Sequence, residues 1–210
     1  MKHVKTKRLS MYPMTIEEMK NLINAKQEKV ELQAVLDHAL ENPNDYKWSI
    51  AWKINLKEEG TQIGYFLFKG LDTYTIGIDI DIEPNFRKDD YAFEALEAMA
   101  NWALSQDEIY FLEATPKDDE KEFIDIITRL KFKEVGDNGN KKYLLEKPKS
   151  HFLIIFTSIG LCIGCAIGIS LGYTAIGIAV GICLGAVIGF GIDINDEDKR
   201  KECKEKHNKE

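Results

Sequence analysis

The chain has 210 residues, with 35 acidic against 28 basic side chains and a formal net charge of -7. Its length suggests one domain or two small ones, and its acidic balance argues against a nucleic-acid partner, which needs a basic surface to replace counterions on phosphate. The averages hide a division, because every Asp, Glu, Lys and Arg lies before Ser150 or after Ile192.

The opening MKHVKTKRLSMYPM is charged and has no apolar run, so no secretory signal is expected. Within it, TKRLSMYPM reads as a first strand. Thr15 is a candidate N-cap, and Glu18 three residues on completes a capping box. In VELQAVLDHALE, Val30, Leu32, Val35, Leu36 and Leu40 fall near one helical face, and NPND closes the helix as a turn. Three strand-like runs follow, YKWSIAWKINL, TQIGYFLFKG and YTIGIDIDIEP, separated by short turns with Gly or Asp, which predicts an antiparallel meander. In the third run Ile76, Ile78, Ile80 and Ile82 face one side, and Gly77, Asp79, Asp81 and Glu83 the other. DDYAFEALEAMANWALSQ is the next helix, with Asp residues at its start. EIYFLEATP is a strand, KDDEKEFIDIITRLKF a helix, and FKEVG and KKYLLEK a closing hairpin around DNGN. No cysteine precedes Cys162, so this part has no disulfide framework and fits a reducing compartment. His38 and Trp48 read as surface and core residues rather than catalytic ones.

This order, with TKRLSMYPMTIEEMKNLI, IDIEPNFRKDDYAFEALEAMANWAL and RLKFKEVG, resembles a GNAT-superfamily acetyltransferase, in the branch of the ribosomal-protein N-acetyltransferases. The resemblance covers roughly Lys5 to Lys147. It implies an α/β (α+β) fold with a mixed, mostly antiparallel sheet flanked by helices. It also implies acetyl-CoA as co-substrate, bound where the family's fourth strand splays from its fifth. A loop of pattern Gln/Arg, two residues, Gly, one residue, Gly/Ala then wraps the pyrophosphate at a helix N-terminus, where free amides and the helix dipole favour an anion.

Here that loop is Arg87, Lys88, Asp89, Asp90, Tyr91, Ala92. With Ile82 before it, these residues are the cofactor-binding candidates that the resemblance implies. Arg87 and Ala92 match the pattern, and Glu94 to Leu96 fits the branch. Lys88 stands where the branch often has Gly, and Asp90 where the central Gly belongs. The Asp90 carboxylate is expected to cap the helix, to compete for its amides and to repel a diphosphate, with Lys88 offsetting part of this. Lys131 replaces the usual Gly before Phe132, and Glu120 an Asn that often helps position the cofactor. Asp81 and Glu83, with Asp79, lie on a strand that often lines the active site, or else form a solvated, salt-bridged face. Tyr143 and Tyr110 are candidate acids by resemblance only.

From Phe152 to Ile192 the chain runs about 40 residues without a charge, which is about 60 Å as one helix. A bilayer core is about 30 Å thick, so two spans fit, near Phe152 to Leu171 and Ala175 to Gly191. Glycine recurs at Gly160, Gly164, Gly168 and Gly172, slips by one, and resumes at Gly177, Gly181, Gly185 and Gly189. The slip marks a turn, with Gly172 at positive φ and Tyr173 and Thr174 at the interface. Four-residue spacing puts the glycines on one face of each helix, as in a glycine zipper whose backbones approach closely. A flexible linker would have no use for so many Ile, Leu and Val, and a helical pair in a soluble core would carry some charge. The CIGC at Cys162 and Cys165 lacks a redox context, and no metal site is expected. Lys147 and Lys149 before the spans, and Lys199, Arg200 and Lys201 after them, predict both ends in the cytoplasm.

The expected organisation is a GNAT-like domain over 1–150, a transmembrane hairpin over 151–192 and a solvated charged tail over 193–210, with a lone His207 that is not a ligand. The expected function is a membrane-anchored N-acetyltransferase with the lipid bilayer and an amine acceptor as partners. The alternatives are a catalytically degenerate binding module at the membrane and an oligomerising or pore-forming hairpin. The sequence leaves open whether the glycine faces pair within one chain or build a homo-oligomer.

Overall fold

The computed structural model describes residues 3–25, 30–42, 47–117, 119–135 and 141–207. The chain divides into two compact units, Met1–Lys147 and Pro148–Glu210.

The first unit opens with two strands instead of one, β1 (Val4–Lys5) and β2 (Leu9–Pro13). Thr6 splits them: its N–H donates to the Leu9 carbonyl at 3.0 Å, and its hydroxyl accepts the Leu9 N–H at 2.9 Å, closing a tight turn. Helix α1 (Ile16–Ala25) begins with the expected capping box. The Glu18 N–H donates to Thr15 Oγ1 at 3.1 Å, and the Thr15 N–H to Glu18 Oε2 at 2.9 Å. Helix α2 (Val30–Glu41) buries Leu32, Val35, Leu36 and Ala39. Leu40, expected on that face, is exposed, because 3.6-residue periodicity brings Ala39 round instead. The turn expected at NPND lies largely outside the described residues.

The meander follows as β3 (Ala51–Leu56), β4 (Gln62–Asp72) and β5 (Thr75–Ile82), all antiparallel. Ile63 to Phe68 of β4 are buried without alternation, as both faces of a central strand are covered. The β4–β5 turn is a two-residue connection with both residues left-handed, Thr73 (φ 41°) and Tyr74 (φ 64°). Its twist suits a hairpin, although neither residue is Gly. A 3₁₀ segment (Pro84–Asp89) leads into α3 (Tyr91–Leu104). Then come β6 (Phe111–Ala114), α4 (Lys121–Arg129), β7 (Lys133–Val135) and β8 (Lys142–Glu146). The DNGN of the closing hairpin lies outside the described residues.

The eight strands run β1-β2-β3-β4-β5-β6-β8-β7, and among the described residues only β5 and β6 pair in parallel. One sheet face carries Trp52, Phe66 and Phe68, packed on Trp102 of α3, with ring centroids 4.9 Å apart for Trp52–Trp102 and 5.8 Å for Phe68–Trp102. Register puts Ile78 opposite Phe68 and so on that face. The other face includes Lys53, whose ammonium bonds Glu18 of α1 at 2.6 Å. Trp48 is a core residue, as expected, and its indole N–H donates to Glu108 at 2.9 Å. His38 is half-buried rather than on the surface, its Nδ1 2.7 Å from the Ser49 hydroxyl.

In the second unit, α5 (Phe152–Leu171) and α6 (Thr174–His207) pack along their glycines. A Cβ on Gly164 would come within 2.9 Å of the Gly181 Cα, and one on Gly168 within 3.1 Å of the Gly177 Cα. α5 ends at Gly172 in the left-handed region (φ 75°), where the Tyr173 N–H reaches back to the Gly168 carbonyl at 2.8 Å. Both helices are long and apolar enough to cross a membrane. α6 does not stop near Gly191 before a separate tail. It stays helical to His207, carried by good helix formers and by the Asp196–Arg200 pair at 2.8 Å.

Candidate functional site

The candidate site starts where β5 and β6 part. Their pairing runs from Thr75–Phe111 to Ile78–Ala114 and stops. β5 continues four residues further, whereas Pro116, two residues past β6, cannot donate to a ladder. The Tyr74 carbonyl accepts the N–H groups of Tyr110 (2.8 Å) and Phe111 (3.2 Å). Even-numbered residues of β5 therefore turn their backbone toward β6, and those of Ile80 and Ile82 meet a gap. Two of the edge groups are covered by the chain itself: the Ile80 N–H donates to Asp79 Oδ1 at 2.8 Å, and Arg87 Nε donates to the Ile82 carbonyl at 3.0 Å.

The loop beyond β5 is short. Glu83 is held through its backbone, its N–H on the Ile63 carbonyl and its own carbonyl on the Phe86 N–H. Arg87 folds back onto the strand, with Nη2 3.6 Å from Asp81 Oδ1. Lys88 and Asp89 finish the 3₁₀ segment, and Tyr91 and Ala92 start α3 half-buried. Asp90 joins the two with φ 57° and ψ 18°. This is the left-handed conformation in which Gly is favoured and Asp is among the best-tolerated alternatives.

The expected capping by Asp90 does not occur, since its side chain makes no cap hydrogen bond to α3. The carboxylate turns instead to Arg129 at the end of α4, with Nη1–Oδ1 at 3.0 Å and Nη2–Oδ2 at 3.5 Å. The hydrogen bond from Arg129, and then its charge, hold the Asp90 carboxyl below the ordinary carboxylate range. The amides of a helix's first turn lack intrahelical partners, and Asp90 does not compete for them. Arg129 also lies over the Phe93 ring, 4.2 Å from its centroid.

Glu120 does not cap α4 either; it accepts the Lys117 N–H at 3.0 Å. Lys131 has φ 67°, the conformation for which a Gly is the usual choice. The Lys131 N–H bonds the Thr128 carbonyl and the Phe132 N–H the Ile127 carbonyl, so a Lys closes a Schellman motif.

The catalytic candidates do not converge on one face. Asp81 and Arg87 are together at the end of β5, and Glu83 lies just beyond. Tyr143 on β8 is buried and pairs with Ala114, which pairs with Ile78, so it shares the Ile78 face rather than that of Asp81. Tyr110 is also buried. Among the described residues no His, Cys, Asp or Glu cluster could hold a metal ion. Sequence reasoning missed Arg129, and no local pattern marks it, because its partner lies 39 residues away. It also missed the self-covered edge at Asp79, where the bonds are local but the parting of β5 from β6 that exposes the edge is not.

Residues 5–133 match the acetyltransferase (GNAT) domain family. No curated protein matches the chain by sequence. Among solved structures the chain is similar to the ribosomal-protein-S5-alanine acetyltransferase of Vibrio fischeri, at 8% identity and TM-score 0.55 over 71% of this chain and 98% of that one. It is also similar to a ribosomal L7/L12 α-N-protein acetyltransferase in complex with coenzyme A (12% identity, TM-score 0.54, 69% and 98%). A third likeness is to the dodecameric spermidine N-acetyltransferase of Vibrio cholerae (11% identity, TM-score 0.52, 68% and 95%). The parted strands, the loop into α3 and a family match over most of the first unit agree, and the chain belongs to the GNAT acetyltransferase family.

Proposed function

We propose that this protein is a membrane-anchored N-acetyltransferase that moves an acetyl group from acetyl-CoA to an amine, either a protein N-terminus or a small amine. The observation that carries the reading is the unpaired edge of β5 at Ile80 and Ile82, followed directly by the uncapped N-terminus of α3. These fit the co-substrate: an extended amide-bearing arm can lie along an edge that no neighbouring strand pairs, exchanging with the Asp79 and Arg87 side chains that cover part of it, and a diphosphate suits first-turn amides. Ile82, Arg87, Lys88, Asp89, Asp90, Tyr91 and Ala92 would form this lining.

Acetyl-CoA supplies the acetyl group as a thioester. The chain's task is to hold the acceptor nitrogen near the thioester carbon and to move protons. Asp81 or Glu83 would take a proton from the attacking amine, directly or through a water. The departing CoA thiolate would take its proton from solvent, because Tyr143 is buried on the opposite face of the sheet. α5 spans about 30 Å, the thickness of a bilayer core. The two apolar helices would anchor the domain, with both ends on the cytoplasmic side.

A second reading, a GNAT-fold binding module without turnover, is supported by the Asp at the glycine position and by Arg87 covering the Ile82 carbonyl. Titration of the detergent-solubilised full-length protein with acetyl-CoA, followed by release of free CoA in the presence of amines, separates the two. Micromolar binding with turnover is the expected result. Binding without turnover on any amine supports the module, and no binding sinks the acetyltransferase reading.

A further inference from the structure

We propose that Arg129 is a phosphate-binding residue of the co-substrate site, held by Asp90 until a diphosphate displaces that carboxylate. The inference rests on the acetyl-CoA reading above and adds a residue that the family pattern does not contain. The guanidinium is positioned twice, by the two-point contact with the Asp90 carboxylate and by the Phe93 ring beneath it. Phe93 belongs to the first turn of α3, so the cation is fixed beside the turn whose amides would receive the diphosphate.

The planar fork of Arg fits a phosphate as well as a carboxylate. The side chains of Arg129 and Asp90 are both well exposed, 43% and 64%. Exchanging one oxyanion partner for another therefore asks for little desolvation, and Asp90 returns to water when released. Stacking on Phe93 keeps the guanidinium in place during the exchange. The Asp that replaces the central Gly then does two things. It takes the left-handed backbone conformation, and it holds a cation ready that offsets its own repulsion of the ligand. The α4 helix, which ends at Arg129, becomes part of the co-substrate site.

The test is calorimetric titration of the full-length protein in detergent with CoA and with pantetheine, which lacks the diphosphate. The Arg129→Gln variant is expected to bind CoA about tenfold more weakly, the loss of one charge-assisted hydrogen bond, and pantetheine as the unaltered protein does. The Asp90→Asn variant keeps a residue tolerant of the left-handed region. It is expected to bind CoA about threefold or more tightly, as it no longer competes for Arg129. The salt dependence of CoA binding is expected to be shallower for Arg129→Gln. Unchanged CoA affinity in Arg129→Gln overturns the proposal, and so does equal weakening toward CoA and pantetheine, which would mark a structural role. Weaker CoA binding by Asp90→Asn overturns the exchange. Failure of the unaltered protein to bind CoA overturns the acetyl-CoA reading itself, and this role with it.

Discussion

The Glu94 carboxylate holds Arg8 twice, accepting its backbone N–H at 2.9 Å and its Nε at 2.6 Å, and takes the Thr6 hydroxyl at 2.5 Å. It thereby fastens the β1–β2 turn to the first turn of α3, and Arg8 lies over the Tyr91 ring at 4.4 Å. Partial burial pulls the Glu94 carboxyl up, but the bonds from Thr6 and Arg8 outweigh it and leave it below the ordinary range. A lowered folded-state pKa stabilises the fold above the unfolded value, about 4.3, and the benefit is lost as pH falls below it. Glu94→Gln should cost about 1 kcal/mol at neutral pH. Denaturant midpoints should show that cost shrinking below about pH 4. A constant cost at all pH values would contradict the assignment.

Lys131 occupies the left-handed cap of α4 at φ 67°. Replacing it with Gly removes the steric cost of a Cβ there. Lys131→Gly should raise stability by about 1 kcal/mol, measured as a higher melting temperature. The neighbouring Arg129 makes the variant informative for the site as well: CoA affinity should hold or rise as the end of α4 becomes less strained.

Asp193 of α6 accepts the N–H groups of Phe152 (3.1 Å) and Leu153 (3.0 Å), the first two residues of α5. One helix thus caps the other. Asp193→Ala should lower the stability of the helical pair by about 1 kcal/mol. Amide exchange at Phe152 and Leu153 in detergent should speed up with it.

The helix pair also holds its own control. A Cβ on Gly181 would fall on the Gly160 carbonyl and 2.9 Å from the Gly164 Cα, whereas one on Gly191 meets nothing within 4 Å. Gly181→Ala should therefore destabilise the pair by about 1–3 kcal/mol. Gly191→Ala should stabilise α6 by about 0.5–1 kcal/mol. Equal effects at both sites would show that close backbone approach is not what holds the helices.

The membrane reading makes its own prediction. Full-length protein expressed in cells should stay with the membrane pellet after alkaline carbonate extraction. Complete release would refute an integral hairpin.

Much of this protein is determined locally. Alternating Ile76, Ile78, Ile80 and Ile82, the Thr15–Glu18 capping box and the slipped glycine beat at Gly172 all depend on neighbours within a few residues, where periodicity and φ preference act. The family resemblance located the loop into α3, and the structure added that Asp90 and Lys131, where glycines are missing, take left-handed backbone. Only the tertiary structure decided what the unusual side chains do. Asp90 looked like a helix cap, yet it pairs with Arg129 because α4 brings a guanidinium within two-point reach. Glu94 looked like a family match and proved to be a clasp on Arg8, 86 residues away. The charged tail looked like a separate solvated end and instead continues α6, whose Asp193 caps α5. Charged side chains reach several ångströms and choose partners by proximity in space, so composition and spacing describe their chemistry and the fold selects its use.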